Sequence, residues 1–140
     1  MNPGSVPFGE RANGAALEID ILGYRYPDVA EPDGLDLLEI AARLFAPPVE
    51  TEFKLAVRVR ELEGLQSYLV RISGGNGPRE VVKLADGLFE LTFAPTRRGP
   101  VLMGVMLRDV ERAHVRVEYL VTLEPHHIGR AAAKLHESLG

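Results

Sequence analysis

The chain has 140 residues, of which 46% are hydrophobic and 26% charged, and its formal net charge is −4. This length and composition predict one globular domain, and the acidic balance argues against a general nucleic-acid binder, which needs a basic face. The sequence contains no cysteine, so disulfides, thiolate catalysis and cysteine-based zinc sites are excluded.

Membrane and secretory signals are absent from the pattern. No apolar run reaches the ~18 residues that a membrane span needs. The N-terminal sequence has neither a basic start nor an apolar stretch, so we expect no secretory signal. Together with the lack of cysteine, these observations predict a cytoplasmic protein without a membrane partner.

Residues 1–14 contain three glycines and two prolines but few large apolar side chains. This composition predicts a flexible N-terminal tail, followed by a single domain over residues 15–140. The domain opens with a period-two pattern that is typical of a half-buried strand. Its alternating apolar members are Leu17, Ile19 and Ile21.

The segment 35–46 supports two interpretations. As a helix it has Asp33 as its N-cap and good helix-forming residues. Its apolar residues at helical spacing are Leu37, Ile40, Ala41 and Leu44. As a strand it would pair across the turn at 47–50 with residues 51–59, which alternate cleanly and match it in length. The residue pattern leaves both interpretations open.

The second half of the chain gives clearer signals. An apolar stripe predicts an amphipathic helix over 60–73, which a glycine-rich run at 74–77 ends. That stripe consists of Leu62, Leu65, Leu69 and Ile72. Four strand candidates follow at short intervals, the first two joined by an Asp-Gly turn that is typical of a hairpin. They cover residues 80–84, 88–94, 101–108 and 115–123.

The chain closes with a second amphipathic pattern over 126–139. Its inward stripe consists of Ile128, Ala131, Ala132 and Leu135. Short strands at close intervals with two helices predict an α+β domain, built on a mostly antiparallel sheet with helices at about 60–73 and 126–139.

Candidate chemistry is sparse. The histidines lack the spacing of helical metal ligands, so we predict no metal site; they are His114, His126, His127 and His136. The glycine-rich run at 74–77 follows a predicted helix and precedes Pro78, which is the wrong context for a phosphate-binding loop. There is no Gly-x-Ser-x-Gly motif. We therefore predict no catalytic residue, no cofactor-binding residue and no enzymatic activity.

Charge is distributed unevenly. Up to residue 52 there are ten acidic residues against three arginines, and beyond it thirteen basic residues against ten acidic ones. Such asymmetry is typical of an acidic surface that steers towards a basic partner, although turns also favour acidic residues.

Several features in this order resemble a known family. An early strand runs into Ile-Leu-Gly-Tyr-Arg-Tyr-Pro at 21–27, and Arg-Glu-Leu-Glu-Gly-Leu-Gln-Ser-Tyr-Leu occupies 60–69. A hairpin around 88–93 and a final strand leading into a helix complete the match, which spans residues 17–139. The chain thereby resembles the WapI-type immunity proteins, small bacterial proteins that neutralise the toxic C-terminal domain of a cell-wall-associated contact toxin. The family has a strand at 35–46, so the resemblance implies a hairpin there.

The resemblance implies a non-catalytic protein that binds and blocks a cognate toxin domain. Toxins of such systems are often nucleases with basic clefts, which an acidic patch would attract. The predicted partner-binding residues are Asp28, Glu31, Asp33, Asp36 and Glu39. The alternatives are an adaptor or subunit of a larger complex and, with less support, a small hydrolase.

Overall fold

The computed structural model describes residues 2–25, 36–74, 77–97, 99–109, 111–112 and 115–140. It contains two four-stranded antiparallel sheets and two helices, which confirms the predicted α+β class. Sheet A consists of β1 (Gly4–Phe8), β2 (Ala16–Tyr24), β3 (Leu37–Ala46) and β4 (Val49–Arg58). Sheet B consists of β5 (Glu80–Leu84), β6 (Phe89–Ala94), β7 (Val101–Arg108) and β8 (Arg116–Leu123). The helices are α1 (Val59–Ser73) and α2 (Pro125–Leu139), at the predicted places.

The same order of elements occurs twice along the chain. Each sheet has its four strands in chain order and is followed by one helix. The helices pack against each other, and Gln66 Nε2 lies 3.2 Å from His136 Nδ1. In addition, α2 packs along β1 and α1 packs beside β5. Each helix thus lies against the first strand of the other repeat, which joins the two halves.

The segment 35–46 is a strand in the described part, as the resemblance implied. Strand β3 pairs with β4 from Leu37 opposite Arg58 to Ala46 opposite Val49, and its other edge pairs with β2. On the outward face of β3, Phe45 is buried as well as the inward row, because the Arg11 guanidinium lies over its ring at 3.8 Å from the ring centre. That inward row is Leu38, Ile40, Ala42 and Leu44. Pairing on both sides outweighs the helix propensity of these residues.

The prediction of a flexible tail over residues 1–14 is wrong for β1. This strand pairs with β2, and its Val6 and Phe8 side chains are buried. Backbone N–H of Asn2 also donates to the Ser138 carbonyl at 2.9 Å. Two buried apolar residues are too few to show a period in the sequence. Pro7 is tolerated because β1 is an edge strand and needs no second set of ladder hydrogen bonds.

One apolar core joins the inward faces of both sheets with the helices. All four predicted residues of the α1 stripe are buried, together with Tyr68, whose ring lies 5.0 Å from that of Phe93. All four predicted residues of the α2 stripe are buried, together with His127 and Ser138. The Tyr119 hydroxyl donates to the Ala16 carbonyl at 3.3 Å and so links β8 to β2.

The helix starts are fixed by side chains. The Glu61 carboxylate accepts a hydrogen bond from the Arg58 backbone N–H at 2.8 Å, which places a negative charge in the first turn of α1. Pro125 occupies the first turn of α2, where its missing N–H costs nothing.

The predicted hairpin between β5 and β6 is confirmed, with positive φ at Ala85, Asp86 and Gly87.

Candidate functional site

The five acidic residues predicted to bind a partner are only partly described. Asp28, Glu31 and Asp33 lie outside the described residues. Asp36 Oδ1 lies 3.9 Å from Arg58 Nη1, and Glu39 Oε1 lies 3.9 Å from Arg25 Nε. Each of these two carboxylates thus has an arginine of the same chain beside it, which offsets part of its attraction for a basic partner.

Glu39 also borders a hollow of about 410 Å³ between sheet A and the β5–β6 turn. Its charged lining combines two acids with two bases: Glu39, Asp86, Arg25 and Lys54. Such a mixed lining suits neither a phosphate nor a metal ion well, because acids and bases of the lining oppose each ligand in turn and Arg25 already lies beside Glu39. The hollow gives no support to a hydrolytic site.

The outward face of sheet B is a second candidate surface. We call it the open face, and it consists of the side chains on β5–β8 that point away from the core. Three of its large apolar side chains are well exposed: Val81 at 48%, Leu102 at 42% and Leu120 at 66%. Val81, Thr92, Gly104 and Leu120 form one row across the four strands, because each is the register partner of the next. Leu102 and Leu120 are thus diagonal neighbours on β7 and β8, whereas Val81 lies at the opposite edge of the sheet, on β5.

The centre of this row is a depression. Gly104 carries no side chain, and a space of about 380 Å³ opens above it. Its lining includes Glu90, Thr92, Met106, Glu118 and Leu120. A Cβ at Gly104 would meet Thr92 and Leu120 only at 3.6–3.8 Å, which is ordinary contact. Neither crowding nor backbone conformation requires glycine here.

Two carboxylates border the depression. Glu90 and Glu118 are both register partners of Met106, from opposite sides. Glu118 Oε1 accepts a hydrogen bond from Arg116 Nη2 at 2.9 Å. Glu90 is half-buried and has no ion pair or side-chain hydrogen bond within the described ranges. The lining of the depression thus carries two carboxylates against one cation, Arg116, and that cation is paired with Glu118.

Sequence reasoning missed this face. The signal was present in β7, whose sequence Val-Leu-Met-Gly-Val-Met-Leu is apolar at both alternating sets of positions, and in Leu120 on β8. An antiparallel strand with only one face in the core normally alternates apolar with polar residues. Departure from that alternation indicates a second face that is kept apolar.

A histidine–carboxylate cluster joins the N-terminal segment to α2. Glu10 Oε1 lies 3.2 Å from His127 Nε2 and 3.7 Å from His126 Nε2. The Glu124 backbone N–H donates to His127 Nδ1 at 2.9 Å. Because Nδ1 accepts this bond, the neutral ring carries its proton on Nε2 and donates it to Glu10. This bond from His127 is the main reason that the pKa of Glu10 lies below its usual value.

The three side chains have the spacing of a metal site, since their donor atoms all lie within 4.8 Å of one another. The chemistry of His127 opposes it. A ring that binds a metal through Nε2 normally donates a proton from Nδ1, but here Nδ1 accepts one from Glu124. The cluster is better suited to holding the N-terminal segment in place than to holding an ion.

No nucleophile–base pair is found in the described part of the chain, where the Ser73 and Thr96 hydroxyls donate to backbone carbonyls. None of the helices formed by these residues is long and apolar enough to cross a membrane. No protein-family model matches the sequence, and no curated protein shows significant similarity to it.

Proposed function

We propose that this chain is a non-catalytic protein that binds and blocks the toxic domain of a bacterial contact toxin. The observation that carries the proposal is the open face of sheet B, where Leu102 and Leu120 are exposed as diagonal neighbours and Val81 is exposed at the opposite edge. Apolar side chains clustered on the surface are typical of protein-binding sites, whereas single exposed ones are ordinary. Protein binding is therefore the activity that this surface supports best.

The choice of a toxin as partner rests on the resemblance to the WapI-type immunity proteins. Two of the quoted motifs occupy structurally defined places, since Gly23 and Tyr24 end β2 and residues 60–69 lie in α1. Such a protein acts by covering the toxin's working surface, without turnover, and the proposal places it in the cytoplasm.

The second candidate is a subunit or adaptor of a larger housekeeping complex, which the same open face supports. The two functions differ in what the protein protects against. An immunity protein rescues growth from one particular toxin domain, whereas a subunit has no such effect.

The test is co-expression in bacteria with the toxin domain encoded next to this gene. We expect wild-type protein to restore growth and to co-purify with the toxin in a fixed ratio. Growth arrest despite normal accumulation of folded protein, without co-purification, would contradict the proposal. Recovery of a stable complex with unrelated housekeeping proteins instead would favour the subunit.

A further inference from the structure

We infer that the open face of sheet B docks a partner segment that presents a basic side chain, most suitably arginine, flanked by apolar residues. The inference rests on the proposed function and adds the chemistry of the partner's contact. In this arrangement the stem of the basic side chain lies over Gly104 and its charged end reaches Glu90.

The shape of the depression fits such a side chain. Glu90 and Glu118 flank Met106 on the two neighbouring strands. Strands lie ~4.8 Å apart, so the Cα atoms of these two residues are ~10 Å apart across the sheet. Met106 stands between the two carboxylates on the same face, so the aliphatic stem of arginine suits the floor formed by Gly104 and Met106, and its planar head reaches Glu90 above that floor.

The charges that line the depression favour a cation on the partner. Glu118 is already paired with Arg116, but Glu90 has no ion pair among the residues that the structure describes. Lys83 is the register partner of Glu90, yet no salt bridge joins them there. A half-buried carboxylate without a cation gains from one that a partner supplies, because the docked partner removes the water around it.

The apolar side chains at the rim of the depression add affinity and orient the partner segment. Leu120 lies on one side of Gly104 in its row, and Leu102 lies two residues before Gly104 on β7. Side chains on one face of a strand recur every second residue, ~6.6 Å along the chain. An extended partner segment with an aliphatic residue two positions from its arginine would therefore cover both the depression and the rim.

The inference can be tested without any toxin. Amide resonances of isotope-labelled protein are followed during titration with the peptide acetyl-Leu-Ser-Arg-Ser-Leu-amide, whose leucines stand two positions from the arginine, and with its citrulline counterpart, which keeps the shape but not the charge. We expect saturable shifts at Thr92, Gly104 and Leu120, and binding about tenfold weaker for citrulline, since a charge-assisted bond is lost. Equal binding of both peptides, or shifts confined to other surfaces, would overturn the inference.

Two variants test whether Glu90 and Gly104 form the binding site. Glu90→Gln removes the charge, and Gly104→Ala fills the depression with a methyl group that the backbone accommodates. Both should weaken binding of the arginine peptide. Glu63→Gln is the matched control, because Glu63 is an exposed carboxylate on α1. Equal loss in the control would count against a site at Glu90.

Failure of the inference is distinguishable from failure of the proposed function. If the toxin complex forms and Glu90→Gln and Gly104→Ala bind it as tightly as wild type, the docking surface is wrong but the function stands. If no toxin is bound while the arginine peptide still selects this face, the function is wrong and the site stands. A concentration-dependent dimer that Leu120→Lys abolishes would overturn the inference in favour of a second copy.

Discussion

Glu10 and His127 lie 117 positions apart in the chain, yet a 3.2 Å contact joins the carboxylate of one to the ring of the other. This contact does not act alone. Arg130 Nη2 donates to the Gly9 carbonyl at 3.3 Å, and Asn2 Nδ2 donates to the Glu137 carbonyl at 3.2 Å. Helix α2 thus holds both ends of the segment that contains β1, and the first strand depends on the last helix.

The Glu10 contact makes stability depend on pH. The pKa of Glu10 is lowered in the folded protein, mainly by the hydrogen bond from His127, so folding favours the ionised form. Its contribution is present above the ordinary value of 4.5 and is lost as the pH falls through the lowered value. We expect Glu10→Gln to lower the melting temperature at pH 7 and to reduce its fall between about pH 5 and pH 3. Thermal melts across that range provide the measurement.

The control for that titration is Asp109. Backbone N–H groups of Glu111 and Arg112 donate to its carboxylate and lower its pKa too, so it adds to the acid sensitivity of wild type. Asp109→Asn should therefore reduce the same slope independently of Glu10→Gln. If Glu10→Gln left the slope unchanged while Asp109→Asn reduced it, the Glu10 contact would have no role in stability.

The two adjacent histidines should differ sharply on substitution. His127 is 2% exposed and its Nδ1 accepts the Glu124 N–H, whereas His126 is exposed. His127→Ala leaves a void and removes the partner of that N–H, and we expect a loss of about 2 kcal/mol in the free energy of unfolding. His126→Ala should change it by less than about 0.5 kcal/mol. Chemical denaturation distinguishes the two, and equal effects would contradict the geometry.

Changing glycine to alanine should stabilise the folded protein at two positions and destabilise it at a third. Gly64 and Gly129 lie within α1 and α2, and nothing lies within 4 Å of a Cβ added to either. Their change to alanine should stabilise the protein by about 0.5–1 kcal/mol each, since the unfolded chain loses freedom. At Gly77 an added Cβ would lie only 2.3 Å from Ile72 Cγ2, a buried side chain. Gly77→Ala should therefore destabilise by about 1–3 kcal/mol, and a stabilising effect would show that this contact is misplaced.

The fold was largely readable from periodicity, because both helices and most strands bury one regular face. The strand β3 was ambiguous to residue pattern alone, since Ala41 and Phe45 on its outward face are apolar and buried as well, which breaks the alternation. Strand β1 was missed because its burial depends on α2, which lies at the other end of the chain. No local signal reports such a contact.

The candidate site was harder to predict. The acidic cluster around Asp36 and Glu39 was visible in the sequence, but their arginine neighbours come from β4 and from the end of β2. The open face depends on cross-strand register, which brings Val81, Gly104 and Leu120 into one row. Neighbours of this kind cannot be assigned until the strand order is known.

The acidic residues and the open face should affect a complex differently. Glu39→Lys reverses an exposed charge beside Arg25, so it should slow association with a basic toxin. This effect should shrink as the salt concentration is raised above 0.1 M, because the Debye length, ~10 Å at 0.1 M, becomes shorter. Glu90→Gln should mainly speed dissociation, because it removes a contact made in the docked state. Surface-resonance kinetics at two salt concentrations separates the two effects. An unchanged association rate for Glu39→Lys would show that this carboxylate does not help to attract the toxin.

The central claim is that the open face of sheet B binds the toxin domain, and calorimetric titration of that domain tests it most directly. Leu120 is the most exposed of the three apolar residues, so Leu120→Lys should leave the melting temperature unchanged. We expect tight binding by wild type and a loss of about 30-fold or more for Leu120→Lys, because the variant places a charge where an apolar side chain is buried in the complex. Equal dissociation constants for the two proteins would contradict the claim.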